Sequence, residues 1–338
     1  MRALSVAEPW GLDQLKIVDA ADPAPGPGEV LVRMRAVSLN YRDMLMVNGV
    51  YARGPATGGP ITPFSDGCGI VEAVGPGVTR VTPGDRVATL FFQRWISGPP
   101  TLEKLSSSLG SPIPGAGREL AVFSQDGVSK VPDFLSDQEV ATLPCAALTA
   151  WRALFEDGDL RPGDLVVLQG TGGVSIFGLQ FAHAAGFRTL VTSSSDEKLA
   201  RVESMGADHL VNYRTEPDWS KAVRAATGGV GADLIIEVGG GGTIEQSVKA
   251  IRIGGHVAIV GVVAGLGGAF NTAALIGNSA RLQGLSVGSR DMFEAMCRFM
   301  DLRRIQPVVD KVFPWTEAAA AFTAMQAGAH FGKIVLQF

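Results

Sequence analysis

From residue 163 onward, apolar runs of strand length alternate with segments of helical spacing, and this rhythm limits the possible folds more than any other feature. Residues 164–169 contain Leu165-Val166-Val167-Leu168, a continuous apolar run suited to a strand buried on both faces. Gly170-Thr171-Gly172-Gly173-Val174-Ser175 follows, and 176–185 has helical spacing. Further strands are expected at 189–192, 210–212, 233–238 and 257–260, with helices at 196–205, 221–226 and 243–250 between them. Units of this length in strict alternation imply a parallel, doubly wound sheet.

The glycine string sits where such a sheet binds dinucleotides. Glycines between a buried strand and a helix permit a tight turn and let backbone approach a pyrophosphate, whose charge the helix N-terminus favours. Gly170, Thr171, Gly172, Gly173 and Val174 are therefore candidate cofactor contacts. The third fingerprint position holds Ser175 instead of Gly, which the turn tolerates if the helix stands slightly further from the strand. NAD enzymes usually end the next strand in a carboxylate that holds the ribose 2′-OH. Here that end reads Ser193-Ser194-Ser195, and Lys198 follows one helical turn on. Hydroxyls and a lysine favour NADPH over NADH, with Asp196 and Glu197 acting against it.

Residues 1–87 read differently. Short strands at 29–37, 69–74 and 86–92, separated by Pro/Gly turns and no long helix, indicate a compact β-rich domain. Residues 97–117 are rich in Ser, Gly and Pro, with one short helix expected at 102–109. Helical spacing returns at 136–154, and 291–302, 308–312, 316–326 and 334–338 close the chain as helix, strand, helix, strand. Phe91-Phe92-Gln93-Arg94-Trp95 either lines an apolar pocket or anchors the 97–117 excursion.

Composition removes several classes. The chain has 338 residues, of which 18% are charged, and a formal net charge of −4, so no basic surplus exists to track nucleic acid. The apolar stretch 257–270 is broken by glycines and too short to span a bilayer. No apolar core of signal-peptide length precedes Gly11. Three scattered cysteines (Cys68, Cys145, Cys297) contain no CxxC and fit a reducing compartment. A cytoplasmic protein with a small-molecule substrate, and no nucleic-acid or membrane partner, is expected.

Six strings together carry a resemblance. They are Ser38-Leu39-Asn40-Tyr41-Arg42-Asp43, Asp66-Gly67-Cys68-Gly69-Ile70-Val71, Pro83-Gly84-Asp85-Arg86-Val87, Ala146-Ala147-Leu148-Thr149-Ala150-Trp151, the glycine turn, and Phe331-Gly332-Lys333-Ile334-Val335. Over nearly its whole length the chain resembles the medium-chain dehydrogenase/reductase superfamily. The resemblance implies an α/β architecture: a GroES-like β-rich catalytic domain (1–146 and 289–338) and a Rossmann domain (147–288). It also implies a homodimer or homotetramer joined through the strand at 282–287. In zinc members, a Cys, a His-Glu pair and a second Cys hold the catalytic metal. Those positions are Asn40, Ser65-Asp66 and Cys145 here, a poor zinc set, which points to the zinc-free branch similar to quinone oxidoreductases.

By that resemblance Asn40, Tyr41, Asp43 and Tyr51 are candidate catalytic residues, although Asp43 has the alternative of pairing with Arg42. Thr149 matches a position beside the nicotinamide. Val238, Val260, Gly261 and Val262 follow strands that line the cofactor, and Tyr213 matches an adenosine-side tyrosine. Val287 and Ser289, with Arg290, lie where the chain leaves the Rossmann domain, near the cofactor in relatives. Lys333 resembles a basic residue near the cofactor phosphates. The activity implied is hydride transfer from NADPH to a quinone, enone or related activated carbonyl compound. The alternatives are a zinc-free alcohol dehydrogenase or carbonyl reductase and, more remotely, a non-catalytic NADPH-binding or structural protein.

Overall fold

In the computed structural model, residues 1–50 and 59–338 are described. Tyr51 lies outside them. The chain divides into two compact units: Met1–Leu148 with Gly288–Phe338, and Thr149–Val287. The division falls two residues later and one residue earlier than the sequence suggests, since Thr149 opens the second unit and Gly288 returns to the first.

The first unit begins with β1 (Arg2–Ser5) and β2 (Lys16–Asp19), an antiparallel pair. β3 (Glu29–Ser38), β4 (Asp66–Val74), β5 (Arg86–Thr89), β6 (Leu120–Ser124) and β7 (Val128–Lys130) follow. The second unit contributes β8 (Leu165–Gln169), β9 (Arg188–Ser193), β10 (His209–Asn212), β11 (Ala232–Glu237), β12 (Ile251–Ile259) and β13 (Arg281–Gly284). The chain then returns to the first unit with β14 (Val309–Pro314) and β15 (Lys333–Gln337).

The six strands of the second unit are all parallel, in the order β10-β9-β8-β11-β12-β13. Every residue of β8 is buried, as its unbroken apolar run requires. Val167, Leu190, Ile235 and Val257 meet in the core with Trp219 and Val223 from the helix Trp219–Ala226. The chain reverses its winding between β8 and β11, so ligand-binding groups are expected at the C-terminal ends of these two strands.

The first unit holds a seven-stranded sheet ordered β14-β15-β3-β4-β5-β7, with β6 also paired to β3. β3 lies between β15 and β4, and Ser38 is in register with both Val335 and Asp66. This register gathers three chain segments far apart in sequence. A core of Val32, Met34, Val37, Phe64 and Phe322 backs the sheet. The irregular 97–117 stretch contains only the short helix Leu102–Leu105. Phe91, Phe92 and Trp95 are buried, Phe91 meeting Phe92 edge to face and Phe92 packing at a tilt on Trp95, and Leu109 N donates to Phe91 O. These aromatics anchor the excursion. Among the described residues, no helix is long and apolar enough to cross a membrane.

Candidate active site

In the second unit the site begins at the end of β8. Gly170 turns with φ of 72°, a left-handed conformation that glycine adopts without strain, and its N–H donates to Thr192 O of β9. Gly172 caps the thirteen-residue helix Gly173–Ala185. A Cβ added at Gly170 or Gly172 would meet nothing within 4 Å, so both glycines border open space at a helix N-terminus. That is the cradle a pyrophosphate needs. Ser175 does not hold the helix off the strand, contrary to expectation. Its hydroxyl donates to Gln169 O at 2.6 Å. Close packing is supplied one turn later by Gly178, where a Cβ would stand 2.7 Å from Leu168 Cδ2.

The serines after β9 divide their roles. Ser195 caps the helix Asp196–Ser204 by accepting from Lys198 N, and Ser193 Oγ accepts from Ser195 N. Only the Ser194 hydroxyl is without a partner among the described residues. Tyr213, just past β10, donates its backbone N–H to Ser193 O and leaves its ring exposed, so tyrosine and serines share one edge. No carboxylate ends β9, and Asp196 is engaged by Asn212 Nδ2 at 2.6 Å.

At the end of β11 stands a group that sequence reasoning missed. The fully buried Glu237 carboxylate accepts five hydrogen bonds, from Gly239 N, Gly240 N, Thr243 Oγ1, Ser247 Oγ and Gln169 Nε2. Gln169 in turn accepts from Val238 N and Gly239 N. Val260 and Gly261 donate to Glu237 O, and Val263 donates to Val238 O. Gln169 and Glu237 thereby clamp the loops that carry Val238, Val260, Gly261 and Val262. The available signal was a polar residue ending each of two strands whose preceding three or four residues are apolar and buried. Thr149 is buried in the short helix Leu148–Trp151, and its hydroxyl has no partner among the described residues. Val287, buried and β-branched, holds a φ of 41°.

The first unit has its own polar centre, built by the register of β15, β3 and β4. Asn40 follows β3 and caps the helix Tyr41–Val47. Its backbone N–H donates to Asp43 Oδ2 at 2.8 Å, and Asp43 N donates to Asn40 O. Its carboxamide receives Lys333 Nζ on Oδ1 at 2.6 Å, and its Nδ2 faces Ser65 Oγ at 3.4 Å. Ser65 Oγ donates to Asp66 Oδ1, and Cys145 N donates to Asp66 Oδ2 at 3.2 Å. Cys145 lies in a π-helical turn, Leu143–Ala147, a distortion common at functional sites.

Three residues have partners other than those expected. Lys333 is not a surface residue. It is buried, and its ammonium donates to Leu39 O and Asn40 Oδ1. Ser289 caps the helix Arg290–Arg303 within the first unit and spends its hydroxyl on Asp291, while Arg290 pairs with Asp126. Arg42 does not pair with Asp43. It donates to Leu109 O and Ser111 O and lies 4.9 Å over the Phe91 ring. Tyr41 is exposed and joins no hydrogen bond of this centre.

Burial pushes the Asp43 carboxyl up to about 7, with Arg42 opposing. Burial also raises Asp66, with Lys333 opposing, and raises the Cys145 thiol, with the Asp66 charge adding to the effect. The folded state therefore holds the Asp43 proton across the interval from 3.8 to about 7, where the unfolded chain releases it. This stabilising contribution is complete at low pH and is lost as pH rises through 7. Asp43→Asn retains an acceptor for Asn40 N and removes the titration. Melting curves from pH 5 to 8 should show the variant gaining on wild type as pH rises. A constant difference would contradict the assignment.

As a zinc site this donor set does not fit. An ammonium already holds Asn40 Oδ1, and among the described residues no group of three or more His, Cys, Asp or Glu converges on a common point.

A glycine cradle at the switch point of a doubly wound sheet, carried by a chain with a second, β-rich unit, defines a nucleotide-dependent oxidoreductase of the two-domain kind. The comparisons agree. The pattern of the alcohol dehydrogenase GroES-like domain matches residues 26–133, and that of the zinc-binding dehydrogenase family matches 173–301. A zinc-type alcohol dehydrogenase-like protein of Schizosaccharomyces pombe is 42% identical over 97% of this chain and 96% of its own length. The quinone oxidoreductase of Rattus norvegicus is 28% identical over 99% of this chain and 97% of its own. Among solved structures, an NAD-dependent alcohol dehydrogenase superposes with a TM-score of 0.90 at 34% identity over all of both chains. A mycobacterial protein in complex with NADPH gives 0.84 at 27% identity, also over all of both chains. The chain belongs to the medium-chain dehydrogenase/reductase superfamily.

Proposed function

We propose that this protein is a zinc-independent, NADPH-dependent oxidoreductase that reduces quinones, enones or related activated carbonyl compounds. The observation that carries the reading is the pairing of an open glycine turn with a strand end, Ser193-Ser194-Ser195, that has hydroxyls where a carboxylate would select NADH. Gly170, Thr171, Gly172, Gly173 and Val174 would hold the pyrophosphate, and Ser194, Lys198 and Tyr213 the 2′-phosphate end. The bound cofactor supplies a hydride. The first unit supplies a hydrogen-bond donor, the Asn40 carboxamide, for the oxygen on which charge develops, and the final proton comes from solvent. A conjugated acceptor suits this equipment because its negative charge spreads onto an oxygen that needs only a donor.

The test is fluorescence titration with NADPH and NADH, followed by turnover of a panel of quinones, enones and aldehydes. Strong aldehyde turnover without quinone or enone turnover would favour the carbonyl-reductase reading, and failure to bind either cofactor would sink both. Ser194→Asp places a like charge beside the 2′-phosphate. It should weaken NADPH about tenfold, the equivalent of roughly 1.4 kcal/mol of repulsion, and leave NADH nearly unchanged. Equal weakening of both would remove Ser194 from the phosphate site. We also propose pairing of two copies through the open edge of β13, to be checked by solution mass.

A further inference from the structure

We propose that Lys333 is a positioning residue, whose ammonium fixes the orientation of the Asn40 carboxamide and polarises it as the hydrogen-bond donor of the first unit. Its effect on the reacting oxygen rests on the function proposed above, whereas the link between Lys333 and Asn40 does not.

The geometry admits one orientation of the amide. Lys333 Nζ stands 2.6 Å from Asn40 Oδ1, and an ammonium can only donate. A flipped carboxamide would set NH2 against NH3⁺, donor against donor. Nδ2 is thereby held on the opposite side, toward Ser65 Oγ at 3.4 Å. The backbone of Asn40 is pinned at the same time. Asp43 Oδ2 accepts its N–H, Asp43 N donates to its carbonyl, and Lys333 also binds Leu39 O, the adjacent residue. β15 beside β3 makes this possible, since Leu39 N donates to Ile334 O one residue from the lysine.

Charge adds to orientation. Lys333 is buried, and none of the ion pairs among the described residues includes it, so its direct partners are neutral oxygens. A buried ammonium is costly, and salt with an adjacent carboxylate is the usual remedy. A chain of donors links it to Asp66, whose carboxyl also feels the Lys333 charge directly: Lys333 to Asn40, Asn40 to Ser65, Ser65 to Asp66. Donation to an amide oxygen draws electron density from the nitrogen and makes its N–H a stronger donor, and each bond in such a chain strengthens the next. During reduction of an enone, hydride adds to the β-carbon, the carbon–carbon π pair shifts toward the carbonyl, and the oxygen becomes an enolate. Solvent then protonates the α-carbon. Asn40 Nδ2–H would bind that oxygen, and Lys333 would act only through Asn40.

The first measurement needs no substrate. The Asn40 side-chain 15NH2 pair, assigned by its loss in Asn40→Ala, should sit downfield in wild type and move upfield in Lys333→Met. An unmoved pair overturns the link. If Lys333→Met does not fold, Lys333→Gln keeps a neutral donor on a similar stem and should give a smaller upfield movement. The second measurement uses whichever acceptor the panel identifies. Lys333→Met should lower kcat about a hundredfold, the usual loss when an oxyanion donor is disabled, with KM and the NADPH Kd within about twofold. The double variant with Asn40→Ala should be no slower than Asn40→Ala alone, since both changes remove one device. Additive losses, or a weakened NADPH Kd with kcat intact, would overturn the assignment. Absence of any turnover by wild type would instead refute the proposed function and leave the resonance test to judge Lys333.

Discussion

Gly172→Asp is expected to make the fold more stable and the protein unable to hold NADPH. The two effects share one position but have different physical origins. Gly172 is the residue before the helix Gly173–Ala185, with φ −79° and ψ −179°, an extended conformation open to any residue. A Cβ there meets nothing within 4 Å, so the substitution strains nothing. Asp is among the best N-caps, and its carboxylate also favours the positive end of the helix dipole, which together should add about 0.5–1 kcal/mol. The same carboxylate would stand where the glycine turn receives a pyrophosphate. It would occupy the free N–H groups and repel a ligand of the same sign, and at least a hundredfold loss in NADPH affinity, about 2.7 kcal/mol, is expected. Thermal melts and fluorescence titration together check the pair. A variant that melts higher and binds NADPH as before would move the cofactor away from this turn.

Glu237→Ala should cause the largest loss of stability of any single change in the second unit. The carboxylate is fully buried and accepts five hydrogen bonds. Its removal leaves buried donors without acceptors, including the N–H groups of Gly239 and Gly240. Breaking such a network typically costs about 3–5 kcal/mol, near 10 °C in Tm for a unit of this size. Glu237→Gln should fall between the two, because one amide end must face donors. Gln169 Nε2 donates and cannot reverse, whereas the hydroxyls of Thr243 and Ser247 can turn. Cofactor affinity should fall with Glu237→Ala, as the loop Val238–Gly240 loses its clamp. A Tm within about 2 °C of wild type would show that water replaces the carboxylate.

Much of the second unit was legible because its signals are local. The run Leu165–Gln169 has to be buried on both faces, the glycines after it permit one kind of turn, and the strand–helix alternation forces a parallel sheet. Ser175 was misread because a fingerprint position was judged by residue type alone. Close packing depends on which residue of the helix faces Leu168, and that residue is Gly178. The serines after β9 were visible as a group, but whether each hydroxyl caps a helix or stays free depends on backbone that the sequence does not display. Gln169 and Glu237 are 68 residues apart, and nothing local in either strand announces that they meet.

The amino-acid sequence by itself determined the architecture, the place of the glycine cradle and the missing carboxylate after β9, because each follows from periodicity or from residue type within a few neighbours. Tertiary structure alone decided the character of the first unit's centre. Lys333 stands at the far end of the chain from Asn40, separated by 293 positions, and nothing in its local sequence links it to that residue. Only the register of β15 on β3 and of β3 on β4 brings Lys333, Asn40, Ser65 and Asp66 into one hydrogen-bonded line. Pairing between distant strands is set by the sum of packing across a sheet, so the burial of this lysine against an amide cannot be read from its neighbours in the chain.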